Sequence, residues 1–291
     1  MGAIVVEDLH KAYGSHPAVA GVSFAVDDGE VVAILGPNGA GKTTTVEILE
    51  GFRQRDRGDV RVLGDDPARP SAAFKERVGV VLQETRPDPY LTVSETVELA
   101  RGCYAAPLAT ADVLTIVGLA DRAGARTAAL SGGQQRRLDF ALGLVGDPDL
   151  LFLDEPTTGF DPSARRDAWT AIRGLRERGT TVVLTTHYLD EAEGLADRLV
   201  VLARGRVVAE GPPDSVRGRA GVHRIAFSLP DGVSEVPLPG TVDAGRWSCE
   251  VTDVRRALHA LTGWALQQDV ALDDLRVERP SLEDVYLDLV R

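Results

Sequence analysis

The sequence predicts an α/β fold built on a mainly parallel sheet, followed by a smaller α+β segment. Three observations carry this. Short apolar runs of strand length alternate with stretches of helical pattern, the arrangement that builds a parallel sheet with helices on its faces. A glycine-rich turn, Gly36-Pro37-Asn38-Gly39-Ala40-Gly41-Lys42-Thr43, joins one such run to a helix and fits G-x-x-x-x-G-K-[ST] at every fixed position. At Gly211-Pro212-Pro213 the alternation stops and the character of the chain changes.

Taken in order, residues 3–9, 18–26, 30–35 and 59–63 read as strands, with Gly29 and Gly58-Asp59 as turn signals. The run Thr44 to Leu49 continues the glycine-rich turn as a helix. Residues 74–83 lead into a further strand at 78–82. From Val93 to Val145 the pattern is helical, with loops near Pro107 and Ala123-Gly124 and with Thr92 or Ser94 as the first cap. Strands return at 150–153, 181–185 and 198–202, with helices over 163–178 and 188–196 between them. Arg204-Gly205-Arg206 opens a hairpin toward 207–210. A linker then runs to about Gly221. The remainder offers strands near 223–229 and 247–251, a helix near 252–262, strand material near 265–278 and a last helix from Ser281.

The length of 291 residues suits a main domain plus a small one, and a hydrophobic fraction of 44% supports a real core. With 32 basic against 44 acidic residues the net charge is −12, which argues against sequence-independent binding to nucleic acid. Cys103 and Cys249 lie far apart and lack metal-ligand spacing, so a reducing compartment is the default. The first residues lack a basic n-region and meet Glu7 and Asp8 early, unlike a secretory signal. Gly2 lacks the Ser or Thr that a myristoylation site requires. No apolar run approaches the length of a membrane span, so any work at a bilayer needs a separate spanning subunit.

The glycine-rich turn has the chemistry of a phosphate cradle. Glycines let backbone amides approach phosphate oxygens without a Cβ in the way. The helix start adds free N–H groups and partial positive charge. Lys42 can reach the terminal phosphates, and the Thr43 hydroxyl can bind Mg²⁺. A second element, Leu150-Leu151-Phe152-Leu153-Asp154-Glu155, describes a buried strand that delivers two carboxylates at its C-terminal edge, where open α/β sheets bind ligands. Asp154 is suited to hold Mg²⁺, and Glu155 to take a proton from an attacking water or to orient it. A third, Leu130-Ser131-Gly132-Gly133-Gln134, joins a good N-cap to two glycines that leave the first helical amides unshielded, a second anion site.

Together these motifs resemble one family, the ATP-binding cassette (ABC) ATPases that power ABC transporters. Ser131, Gly132, Gly133 and Gln134 match its signature motif, which sits about twenty residues before the acidic strand as that family has it. The resemblance covers roughly residues 3–215 and implies further roles. Tyr13 matches an aromatic that stacks on adenine, and Gly36, Asn38, Gly39, Ala40, Gly41, Lys42, Thr43 and Thr44 match the nucleotide loop. Gln83 matches a glutamine that touches Mg²⁺ or the water and senses the membrane partner, and is assigned with Glu155, His187 and Lys42 to catalysis. Gly159-Phe160-Asp161 matches the D-loop, with Phe where Leu is usual, and His187 matches a histidine that contacts the γ-phosphate. The implied fold is the P-loop ABC ATPase, with a mixed sheet core, an antiparallel β subdomain and a helical subdomain at about 89–145, followed by a small α+β domain. The implied boundaries are 1–215 and 222–291.

The resemblance also implies a head-to-tail homodimer, in which the phosphate loop of one copy and the Ser131 helix of the other enclose each ATP with Mg²⁺. Integral membrane permease subunits are the implied partners, at the cytoplasmic face of the membrane. The tail Arg279-Pro280-Ser281-Leu282-Glu283-Asp284-Val285-Tyr286-Leu287 resembles the C-terminal motif of ATPases serving multidrug exporters of the daunorubicin-resistance type. It is also a plain helix start with acids favouring the N-terminal dipole. Two other classes are the alternatives. A cassette ATPase acting on DNA or the ribosome usually carries a coiled-coil insertion, zinc cysteines or tandem cassettes, and none is seen here. An importer ATPase often carries a longer C-terminal β-barrel regulator. The leading expectation is therefore an exporter ATPase for a drug or other hydrophobic compound.

Overall fold

The computed structural model describes residues 2–81, 87–218, 223–230, 232–233, 235–278 and 281–290. In chain order the first elements are β1 (Ile4–Tyr13), β2 (His16–Val26), β3 (Val31–Leu35), α1 (Lys42–Leu49), β4 (Arg57–Val62), α2 (Ala72–Arg77) and β5 (Val78–Val81). Helices α3 (Val93–Arg101), α4 (Thr110–Ile116) and α5 (Gly132–Leu144) follow, and then β6 (Leu150–Asp154), α6 (Pro162–Glu177), β7 (Thr181–Thr185), α7 (Leu189–Leu195), β8 (Arg198–Ala203) and β9 (Arg206–Gly211). The last elements are α8 (Pro213–Gly218), β10 (His223–Ser228), β11 (Thr241–Asp243), β12 (Arg246–Val251), α9 (Val254–Gln268), β13 (Arg276–Glu278) and α10 (Leu282–Val290).

The main sheet has the order β5-β6-β7-β3-β8-β9, parallel through β8 with β9 antiparallel at the edge. All five residues of β3 and of β7 are buried, as are the four apolar residues of β6. Strands covered on both faces need continuous rather than alternating apolar runs, and that is how these read. The order matters for the site. Because β6, β7 and β3 are parallel neighbours, the loops that leave their C-terminal ends emerge side by side.

A three-stranded antiparallel sheet, β2-β1-β4, accompanies the main sheet. The Ala20 amide donates to the Gly205 carbonyl at 2.8 Å, joining β2 to the turn between β8 and β9. Helices α3, α4 and α5 form the helical part. Thr92 caps α3 with a reciprocal box, its hydroxyl accepting from the Glu95 amide while the Glu95 carboxylate accepts from the Thr92 amide. Helix α5 lies tight against β5. A Cβ on Gly79 would strike the Gly143 carbonyl, and one on Gly143 would come within 2.6 Å of Val81. Only glycine at both positions allows this approach.

Contacts divide the chain into two compact units, 1–213 and 214–289. The second holds the antiparallel sheet β11-β12-β10-β13. Its core is Ile225, Phe227, Trp247 and Cys249 packed with Ala257 and Leu261 of α9, and the Phe227 and Trp247 rings lie 5.2 Å apart.

Several elements differ from the sequence reading. The expected linker to Gly221 contains α8, which starts at Pro213, a residue preorganised for a first helical position, and carries an Asp214–Arg217 ion pair. Helix α9 runs on to Gln268, so that part of the expected 265–278 strand material is helical and only Arg276–Glu278 is strand. The buried spacing Ala257, Leu261, Ala265 explains the extension, and Asp269 in the left-handed region ends it. Residues 72–77 form a short helix capped by Ser71 before β5. The strand β11 is three exposed residues on an edge and carries no alternation to read.

Candidate functional site

The glycine-rich loop between β3 and α1 forms the floor of the site. Gly41 caps α1 at φ 99 and provides no side-chain hydrogen bond, so the first amides of the helix remain available to a ligand. A Cβ on Gly41 would run into the Ala18 carbonyl of β2. The Lys42 ammonium folds back over the loop and donates to the Gly36 carbonyl at 2.6 Å and the Pro37 carbonyl at 3.2 Å. Burial pushes the Lys42 ammonium toward its neutral form, while Glu155 and Asp154 favour the charged form.

Opposite the loop stands the end of β6. The Thr185 hydroxyl of β7 donates to Asp154 Oδ1 at 2.5 Å and accepts from the Glu155 amide at 3.1 Å. Glu155 is a non-glycine residue at φ 46, in the left-handed region. Its carboxylate accepts from the Thr158 hydroxyl at 3.2 Å, and its Oε1 lies 3.2 Å from His187 Nδ1. At the inner end of α1, Glu50 is buried and its carboxyl is pushed up to about 8, first by burial and then by the charges of Asp154 and Glu47.

These pieces enclose a cleft of about 670 Å³ lined by Asn38, Gly39, Ala40, Gly41, Lys42, Thr43 and Thr44, with Asp154, Glu155 and His187 across from them. His16 and Ala18 of β2 complete the lining. Tyr13 sits beside the cleft, its hydroxyl 3.5 Å from the Thr44 hydroxyl; the residue is 43% exposed, and the Arg53 guanidinium lies 5.2 Å from its ring centroid. Among the described residues no cluster of three His, Cys, Asp or Glu is placed to hold a metal alone.

Other residues named from the sequence stand apart from this lining. Ser131 caps α5 in a box with Gln134, its hydroxyl accepting from the Gln134 amide at 3.3 Å and its own amide donating to Gln134 Oε1 at 3.1 Å. A Cβ on Gly132 would meet nothing within 4 Å, and one on Gly133 only Ala164 at 3.9 Å. Asp161 caps α6, accepting from the Ser163 and Ala164 amides at 2.8 and 2.9 Å, and these bonds hold its carboxyl below the usual range. Gln83 lies outside the described residues. Sequence reasoning missed His16, Glu50 and the buried Arg136. For His16 a signal existed, since it pairs with Tyr13 across the β1–β2 turn.

A family pattern described as ABC transporter matches residues 19–158. A daunorubicin resistance ATP-binding protein of Streptomyces coeruleorubidus is 39% identical over 301 residues, covering 99% of this chain and 95% of that protein. The chain belongs to the ATP-binding cassette transporter family. A Nod factor export ATP-binding protein I of Paraburkholderia xenovorans is 43% identical over 302 residues, covering 99% of this chain and 96% of the relative. A second pattern, the C-terminal domain of ABC transporter domain-containing-like proteins, matches residues 223–281. Among solved structures, the ATP-binding subunit of an ABC transporter matches with a TM-score of 0.68 at 29% identity, over 75% of this chain and 93% of that one. A dimeric post-hydrolysis state of an ATP-binding cassette bound to ADP and Pi matches at 0.64 and 26% identity, over 72% of this chain and 98% of that one. The fold is that of the ABC ATPases, and this ABC protein binds ATP and couples its hydrolysis to transport. Among the described residues no helix is long and apolar enough to cross a membrane.

Proposed function

We propose that the chain is the ATP-hydrolysing subunit of an exporter and that two copies close around two ATP molecules at the cytoplasmic face of a membrane. One observation carries this reading. The cleft that brings Lys42 and Thr43 opposite Asp154, Glu155 and His187 does not include the Ser131 helix tip, whose Gly132 and Gly133 have open space around them. A second copy related by a two-fold axis would supply the missing wall to each cleft. A dimeric cassette among the solved relatives supports the same arrangement.

In this reading the loop amides from Gly36 to Thr44 and the Lys42 ammonium hold the phosphates, and Tyr13 stacks on the base. Ser131, Gly132, Gly133, Gln134 and Asp161 meet the nucleotide or the facing copy across the interface. Thr43 and Asp154, with Gln83, would hold Mg²⁺, which would supply positive charge to neutralise the phosphates. Glu155 accepts a proton as the water oxygen bonds to the γ-phosphorus and the bond to the ADP oxygen breaks. His187 fixes the Glu155 carboxylate and reaches the γ-phosphate. Loss of that phosphate removes the contact that favours the closed pair, which is what a ligand-driven shift between two states requires.

Separate integral membrane subunits provide the pathway. The relatives named for daunorubicin resistance and Nod factor export favour an exporter, and the first favours a drug or similar hydrophobic compound as cargo. Residues 1–215 act as the ATP-binding domain and 222–291 as an accessory domain, a division supported by the contact boundary after Pro213. The charge of −12 favours no nucleic-acid partner. Purification of the tagged chain from membranes is expected to bring down an integral membrane protein. Recovery of DNA or ribosomes without one would contradict the exporter reading.

A further inference from the structure

Arg136 lies on α5, in the second turn beyond Ser131, and its side chain is only 8% exposed. Two of its nitrogens, Nε and Nη2, reach one short segment of backbone. Nη2 donates to the Asp154 carbonyl at 2.8 Å and to the Glu155 carbonyl at 3.3 Å, and Nε donates to the Pro156 carbonyl at 3.3 Å. Nη1 lies 3.6 Å from the carboxylate of Asp139, one turn further along the helix. Three successive carbonyls, those of both site carboxylates and of the residue after them, are thus held by one guanidinium from the signature helix.

We propose that Arg136 is a positioning residue that ties the Ser131 helix to the backbone carrying Glu155, so that capture of nucleotide at the helix tip sets the catalytic carboxylate. This rests on the reading of Glu155 as the group that takes the proton from water. Three physical points support it. Burying a cation is unfavourable, and an apolar side chain would fill the same space at lower cost if packing were the only need. Burial does push Arg136 toward losing its charge and raises Asp139 to about 6, so the pair is kept against a penalty. Next, Glu155 occupies a left-handed conformation that a residue with a Cβ rarely adopts, and such a backbone persists only where its surroundings fix it. It is fixed from two sides. The Glu155 amide donates to the Thr185 carbonyl and hydroxyl at 3.1 Å, and the Glu155 carbonyl accepts from Arg136. Finally, the link is stiff. Ser131 and Arg136 sit on one helix, and that helix is seated on β5 through Gly79 and Gly143 with no room for slack.

Lysine keeps the charge but cannot span three carbonyls, because its donors radiate from a single nitrogen. Arg136→Lys is therefore expected to lower kcat about ten- to hundredfold, the scale of a small misplacement of a reacting group. KM and the Kd for ATP measured without Mg²⁺ should stay within about threefold. Asp139→Asn leaves the carbonyl bonds in place and is expected to keep kcat within about threefold. Arg136→Gln serves as a second probe if the lysine variant is unstable. A folded Arg136→Lys protein with parental kcat would overturn the proposal, as would a parallel loss of kcat and ATP affinity. Failure of both Arg136 variants to fold would assign the residue to stability alone, which also overturns it. Glu155→Gln measured alongside separates the two claims. Normal hydrolysis by that variant sinks the role given to Glu155, whereas a dead Glu155→Gln with a fully active Arg136→Lys sinks only the role given to Arg136.

Discussion

Lys42 and Asp139 show how burial and charge compete at single residues. At Lys42, burial disfavours the ammonium while Glu155 and Asp154 support it, and the carbonyls of Gly36 and Pro37 occupy its donors. Phosphate oxygens would take over those donors with a full countercharge, a stronger bond than a neutral carbonyl offers. Lys42→Ala should cut ATP turnover by roughly a hundredfold, as loss of a preorganised charge stabiliser does. Unchanged steady-state ATPase activity would refute this use of the residue. Asp139 gives a pH dependence. Burial raises its carboxyl from 3.8 to about 6, so between those values the folded chain keeps a proton that the unfolded chain has released. Stability from this group therefore falls as pH rises through that window and is level above it. The melting temperature of the parent relative to Asp139→Asn should decline across the window and then hold constant. A difference that ignores pH would show that Asp139 does not titrate there.

Among the elements, those whose chemistry is local were legible in the sequence. The strand–loop–helix at Val31–Leu49 and the acid-tipped strand β6 follow from apolar runs, glycines and two carboxylates in immediate succession. The Ser131 cap was legible for the same reason, since a capping box is complete within four residues. What sequence could not show was contact across the fold. Arg136 meets carbonyls 18 to 20 residues away, and nothing in its neighbours announces that. Glu50 is perturbed by Asp154, which the chain brings back by sheet order rather than by spacing. The differences at Pro213–Gly218 and at Gln268 have a related cause, because the formation of a six-residue helix and the length of α9 are decided by packing more than by propensity. The loop itself gives the test at this scale. Gly41→Ala places a Cβ against the Ala18 carbonyl at a backbone angle of φ 99, which should cost about 1–3 kcal/mol and weaken ATP binding. Parental melting and parental ATP affinity in this variant would show that the turn is less constrained than its geometry states.

At the scale of the whole molecule, the described residues of the proposed site fall on two separate surfaces of one chain. The cleft joins the loop, the strand carboxylates and His187, while the Ser131 tip ends a separate helix. In the proposed function a pair of chains resolves this division, and the γ-phosphate decides whether the pair is closed. Glu155→Gln preserves the shape of the side chain and removes its ability to accept a proton, so ATP should bind and persist. The central claim is tested most directly by size-exclusion measurement of Glu155→Gln with ATP and Mg²⁺. The account predicts a stable dimer with ATP that reverts to monomer with ADP. A variant that stays monomeric with saturating ATP, or that hydrolyses it at the parental rate, would contradict it.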